Sequence, residues 1–176
     1  MPIRPDVPWL ARISVHAALG RDQALRRALK GALDAGATPI RLDETLLQLV
    51  PFAGYARAIN AFAALRDLGL RVSRPSRAPG GRRRRGEALC RRIYGPVYER
   101  MIARMGDFHP DLAAWILEDG YGKVLSRPGL TIRERELIVV AVLSALRLPM
   151  QLESHVRGAK RVGASEKDVS AMLKIR

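Results

Sequence analysis

The chain carries the same helical plan twice. Laying Gly36-Ala37-Thr38 over Gly163-Ala164-Ser165, an offset of 127, makes nine of 35 aligned pairs identical without a gap. Val15, Ala18, Leu19, Leu25, Gly31, Ala32, Gly36, Ala37 and Leu46 meet Val142, Ala145, Leu146, Leu152, Gly158, Ala159, Gly163, Ala164 and Leu173. These are small and apolar positions, the ones that set how closely two helices approach. They also include a helix-ending Gly and the Gly-Ala pair inside the preceding helix. Units of this kind cannot bury their apolar faces alone, so the two are expected to pack against each other.

Local signals agree on helices. Asp6 is placed to cap a helix over 7–19, and Asp22 to cap the next, with Leu25, Ala28, Leu29, Ala32 and Leu33 on one face. Gly36 stops that helix. Thr38-Pro39 opens another through Leu49. Pro51 starts a fourth, whose Phe52, Tyr55, Ile59, Phe62 and Leu65 form a stripe. Glu87 to Met105 reads as helix with a kink at Gly95-Pro96, and Asp107 to Pro110 starts the next. Thr131 and Glu134 make a capping box before an apolar helix to Leu146. Pro149 begins a helix to Gly163, and Ser165 caps the last one. No run of β-branched residues alternates with polar ones, and Ala, Leu and Arg dominate a chain with only 5% aromatics. The expected class is all-α, with repeated helical units.

The formal net charge is +14, and half of it is local. Residues 71–86 hold seven arginines, Arg71, Arg74, Arg77, Arg82, Arg83, Arg84 and Arg85, and no acid. Their Pro/Gly/Ser-rich setting reads as an exposed linker. The expected division is a first, degenerate unit over 1–70, an Arg-rich linker over 71–86, and a second unit over 87–176. Four consecutive arginines, Arg82 to Arg85, could neutralise phosphates. No aromatic is interleaved with them, so base stacking is not indicated and a nucleic-acid role has the weaker support.

Several function classes have little to stand on. Met1 to Pro8 has no apolar leader core, and the longest apolar run, Leu137 to Leu146, stops at Arg147, so neither secretion nor a membrane span is expected. A cytoplasmic location follows. Cys90 is the sole cysteine, which rules out an internal disulfide and dithiol redox chemistry within one chain. It reads as a small core residue, the alternative being a thiol sharpened by neighbouring arginines. His16 and His109 have no partner at ligand spacing, so no metal site and no cofactor is expected.

The two repeats differ in polar content. Glu136 and His155 stand in the second, where the first has Trp9 and Ala28. An imidazole beside a carboxylate suits proton transfer near neutral pH, so chemistry is expected in the second unit. The alternative reading is a structural contact pinning two helices.

The residues Arg127-Pro128-Gly129-Leu130, Arg133 to Ile138, Ser154-His155-Val156-Arg157-Gly158-Ala159 and Gly163-Ala164-Ser165 resemble the carboxymuconolactone decarboxylase family, which includes the alkylhydroperoxidase-D branch. Pro51 to Tyr55 with Asn60-Ala61 resembles the helix following the same motif in family members. The resemblance implies an all-helical alkylhydroperoxidase-D-like fold and homo-oligomers, commonly trimers or hexamers. In the peroxidase branch a Glu precedes the motif His by nineteen residues, as Glu136 precedes His155. That branch also has a Cys-x-x-Cys pair whose positions here are Gln151 and Leu148, so its peroxidase mechanism has no residues to run on.

The resulting expectation is a cofactor-free acid/base enzyme acting on a small carboxylated lactone or related acid. His155 would transfer the proton, Glu136 would orient it, and Arg133, Arg127 and Arg157 could hold the carboxylate. The alternatives are a family member that kept the fold and lost the chemistry, serving as a scaffold or binding protein, and an anion- or nucleic-acid-binding module using the Arg-rich segment.

Overall fold

The computed structural model describes residues 2–70 and 80–176, and every described element is helical. In chain order these are α1 (Val7–Leu19), α2 (Asp22–Asp34), α3 (Pro39–Leu47), α4 (Val50–Asp67), α5 (Arg82–Tyr94), a 3-10 turn (Gly95–Val97), α6 (Tyr98–Phe108), α7 (Pro110–Trp115), a π-helical stretch (Ile116–Leu125), α8 (Ile132–Ala145), α9 (Pro149–Arg161) and α10 (Glu166–Leu173). They divide into two compact units, one of residues 1–75 with 129–176 and the other of 76–128. Both repeats fall in the first unit.

The repeat is visible in the backbone. Shifted by 127 residues, α2 superposes on α9 in its bounds, and Gly36 (φ 82°) falls on Gly163 (φ 98°). Gly20, at φ 70°, falls on Arg147, which at φ 57° is the one described non-glycine residue with positive φ. An ion pair is repeated too, with its charges exchanged. Asp6 accepts from Arg41 Nε at 2.5 Å, and their counterparts are Arg133 and Asp168, joined at 3.0 Å.

The core of this unit lies where α1 meets α8. Leu10, Ile13 and Val15 pack with Leu137, Ile138 and Ala141, and α2, α3, α4, α9 and α10 contribute the rest. Every residue of α8 from Glu134 to Leu143 is buried, so this helix is central rather than amphipathic. The capping box is present, with Glu134 N donating to Thr131 Oγ1 at 3.2 Å and Thr131 N donating to Glu134 Oε2 at 2.8 Å. Ser165 and Asp168 repeat it at the head of α10.

Three expectations need correction. Asp6 and Asp22 do not cap their helices: Asp6 turns its carboxylate to Arg41, and α2 begins at Asp22 itself. The α4 stripe is broken, because Gly54 has φ 81° and ψ 168° and resets the helical phase. Ala58, Ala61, Ala64 and Leu65 are buried, while Tyr55 and Ile59 stand 65% and 64% exposed. Arg82 to Arg85 form the first turn of α5 rather than a loop; residues 71–79 lie outside the described part.

In the unit of 76–128, α5 lies along the π-helical stretch. A Cβ on Gly86 would stand 1.8 Å from the Leu117 carbonyl oxygen, so only glycine permits that approach. Cations at a helix N-terminus oppose the helix dipole. Here they are met by acids: Arg82 by Asp119 at 3.9 Å, and Arg83 by Glu87 at 2.6 Å and Glu118 at 3.7 Å. Arg85 donates to the Gly122 carbonyl at 2.8 Å. Cys90 is fully buried, and the Tyr94 and Tyr121 hydroxyls are hydrogen-bonded at 2.5 Å.

Candidate active site

Four consecutive charged residues, Arg133 to Glu136, stand at the head of α8, and the last three are buried. A buried charge is tolerable only when paired, and Glu134 and Arg135 find their partners on α3 while Glu136 finds its partner on α9. Glu134 receives Arg41 from α3, through Nη2 to Oε1 at 2.8 Å and Nη1 to Oε2 at 3.2 Å. Arg135 donates to Glu44 at 2.8 Å and to Gln48 at 3.3 Å. Glu136 meets His155 of α9, with Glu136 Oε2 2.9 Å from His155 Nδ1. The 100° step of a helix sends adjacent side chains in different directions, and α8 uses three such directions in one turn.

Arg41 bridges two carboxylates. Burial opposes its charge, but hydrogen bonds to Glu134 and Asp6 outweigh that and raise its pKa. Burial likewise works against the Glu134 carboxylate, and hydrogen bonds from Arg41 and Thr131 nonetheless hold it below its ordinary 4.5. This network ties α3 and the segment before α1 to the head of α8. It is chemically saturated, and its role is to fix α8 in place.

The Glu136–His155 pair has a different character. A carboxylate accepts, so at this distance Nδ1 carries the proton and Nε2 is the ring's other nitrogen. Glu136 is 1% exposed and His155 is 6%. The Phe52 ring lies against the imidazole, its centroid 5.5 Å away and its plane turned by 80°. Arg135 reaches Glu44, and Arg157 forms an exposed ion pair with Glu153.

Arg133, three residues before Glu136 on α8, is bound to Asp168 and is partly buried. Arg157 is exposed. Arg127 belongs to the unit of 76–128. In the first repeat, Trp9 takes the place of Glu136, with its ring over Gly31 and the Arg12 guanidinium 5.4 Å from the ring centroid. The sequence pattern missed Phe52 as a site residue, although it stands in the quoted Pro51 to Tyr55 motif. Among the described residues there is no group of three His, Cys, Asp or Glu side chains able to hold a metal ion, and no helix long and apolar enough to cross a membrane.

Residues 10–67 and 110–176 match the model of the carboxymuconolactone decarboxylase family. "Peroxisomal protein 2" of Schizosaccharomyces pombe is 26% identical over 184 residues, covering 98% of this chain and 85% of that protein. A protein of the same name from Saccharomyces cerevisiae is 24% identical over 163 residues, covering 75% and 58% of the two chains. The 4-carboxymuconolactone decarboxylase of Acinetobacter baylyi is 31% identical over 74 residues, or 42% of this chain and 55% of that one. Among solved structures, a candidate gamma-carboxymuconolactone decarboxylase subunit from Burkholderia xenovorans shares the fold at TM-score 0.62 and 22% identity, covering 98% of this chain and 71% of that one.

Proposed function

Because the chain belongs to the carboxymuconolactone decarboxylase family, we propose that it is an acid/base enzyme acting on a small carboxylated lactone or related acid, with His155 as the proton-transfer group and Glu136 as the residue that orients it. The observation that carries this reading is the 2.9 Å contact between Glu136 Oε2 and His155 Nδ1, a carboxylate seated against an imidazole as general acid/base chemistry requires. In a decarboxylation, breaking the carbon–carboxylate bond releases carbon dioxide and leaves its electron pair on carbon as an enolate. Protonated His155 would donate the Nε2 proton to that carbon, and water would return a proton to the ring. Of the arginines, Arg133 is the carboxylate anchor in this proposal, since it lies one helical turn before Glu136.

The test is carbon dioxide release from a panel of carboxylated lactones by the wild type and by His155→Ala. The expected result is turnover that disappears in the variant while its helical circular dichroism is kept. Unaltered turnover in His155→Ala would remove the assignment.

One observation favours a second reading. Both members of the pair are buried in the isolated chain, which also suits a structural clasp between α8 and α9 in a protein that binds or scaffolds. Under that reading no panel member is turned over, and His155→Ala lowers stability only. Assembly into trimers or hexamers is part of the proposal, and sedimentation velocity would test it. The compartment is proposed to be the cytoplasm; the fungal relatives' name makes the peroxisome the alternative, which imaging of a fluorescent fusion would decide.

A further inference from the structure

We infer that Phe52 controls access to His155, and that the short turn carrying it, residues 50–53, swings about Gly54. The inference rests on the dyad reading for its purpose, but its geometry is independent of it. Three observations converge. His155 is almost fully buried, and an aromatic ring from α4 lies against its imidazole at 5.5 Å. Phe52 itself is only partly buried, so it forms the boundary between the imidazole and solvent rather than part of the deep core. Directly after its turn the helix is interrupted at Gly54, where φ 81° and ψ 168° lie in a region open essentially to glycine alone.

The glycine is there for its backbone and not for space. A methyl group built on Gly54 would have nothing within 4 Å. No neighbour forces the absence of a side chain, so what selects glycine is the conformation. That conformation uncouples residues 50–53 from the rest of α4, whose Ala58, Ala61, Ala64 and Leu65 stay anchored in the core. The short turn is held by Phe52 N and Ala53 N, which both donate to Leu49 O, at 3.0 and 2.7 Å. Val50, Phe52 and Ala53 pack on the core only partly buried, and a four-residue segment at that edge, beside a firmly held helix, opens more cheaply than the fold as a whole. The door belongs to the first repeat and the imidazole to the second, so the degenerate repeat serves the site by walling it.

The experiment is site-resolved carbethoxylation of the intact chain with diethyl pyrocarbonate, read peptide by peptide, with exposed His109 as the internal reference. It needs no substrate, so it stands or falls separately from the enzymatic reading. Phe52→Ala is expected to speed labelling of His155 on the order of tenfold relative to His109, and the milder Phe52→Leu to speed it less. Gly54→Ala, which clashes with nothing, disfavours the kinked, closed arrangement and should also speed it. The double variant Phe52→Ala/Gly54→Ala should label little faster than Phe52→Ala alone, since both act on one door. Rates at His155 that stay at the wild-type value in Phe52→Leu and Gly54→Ala, or effects that multiply in the double variant, would overturn the inference.

Discussion

Gly20 and Arg147 close the first helix of their respective repeats in the same left-handed conformation, at φ 70° and 57°. Glycine holds it without strain, whereas an L side chain costs about 1 kcal/mol there. Arg147 is exposed, so little packing is lost by removing it. Arg147→Gly should therefore stabilise the chain by about 0.5–1 kcal/mol, visible as a raised midpoint in chemical denaturation. A lowered midpoint would mean that the arginine makes a contact outweighing its backbone strain.

Asp6, Arg41 and Glu134 form a buried charge network. Arg41→Met leaves two carboxylates buried without their cation and should cost about 3–5 kcal/mol. The exchanged pair Arg133–Asp168 is less enclosed, so Arg133→Ala should cost less, about 1–2 kcal/mol. Equal losses at the two sites would contradict the difference in burial.

The same network sets the acid response. Glu134 is held below its ordinary 4.5 by Arg41 and Thr131, against the opposing effect of burial. Asp168 is lowered from 3.8 in the same way, burial opposing and Ser165 and Arg133 prevailing. A depressed carboxyl stabilises the fold above its unfolded pKa and loses that contribution as pH falls through its folded value. Stability should thus decline below about pH 4.5. Arg41→Met should show a shallower decline, since its carboxyls gain from protonation. His16 behaves in the same sense at higher pH: burial, then Arg21, Arg12 and Arg27, lower its pKa from 6.5. Protonation costs more in the fold than in the unfolded chain, so stability should begin to fall as pH drops below about 6.5, and His16→Gln should remove that step.

In the unit of 76–128, Gly86→Ala places a methyl against the Leu117 carbonyl, where the backbone itself must give way. A loss of about 3 kcal/mol is expected, measured as a lowered thermal midpoint. An unchanged midpoint would mean that α5 and the π-helical stretch separate freely.

Much of this was readable in the chain itself, for reasons that are local. The capping box of Thr131 and Glu134 depends on neighbours in sequence, and it formed as expected. The Glu136–His155 contact was legible because the repeat singled out its two positions. What could not be read depends on partners far along the chain. Arg82 to Arg85 became helical with Glu118 and Asp119 beside them. Asp6 gave up its cap for Arg41, thirty-five residues away. Tyr55 and Ile59 turned outward because one torsion at Gly54 shifted the phase of the whole helix.

The most direct test of the central claim is the steady-state rate of carbon dioxide release by the wild type beside His155→Gln and Glu136→Gln, on whichever carboxylated lactone the panel identifies. The account predicts that His155→Gln loses on the order of 10² to 10⁴-fold in kcat, with Glu136→Gln lowering kcat roughly 10–100-fold at a similar KM. If His155→Gln turns over at the wild-type rate, the pair is a clasp and not a catalyst.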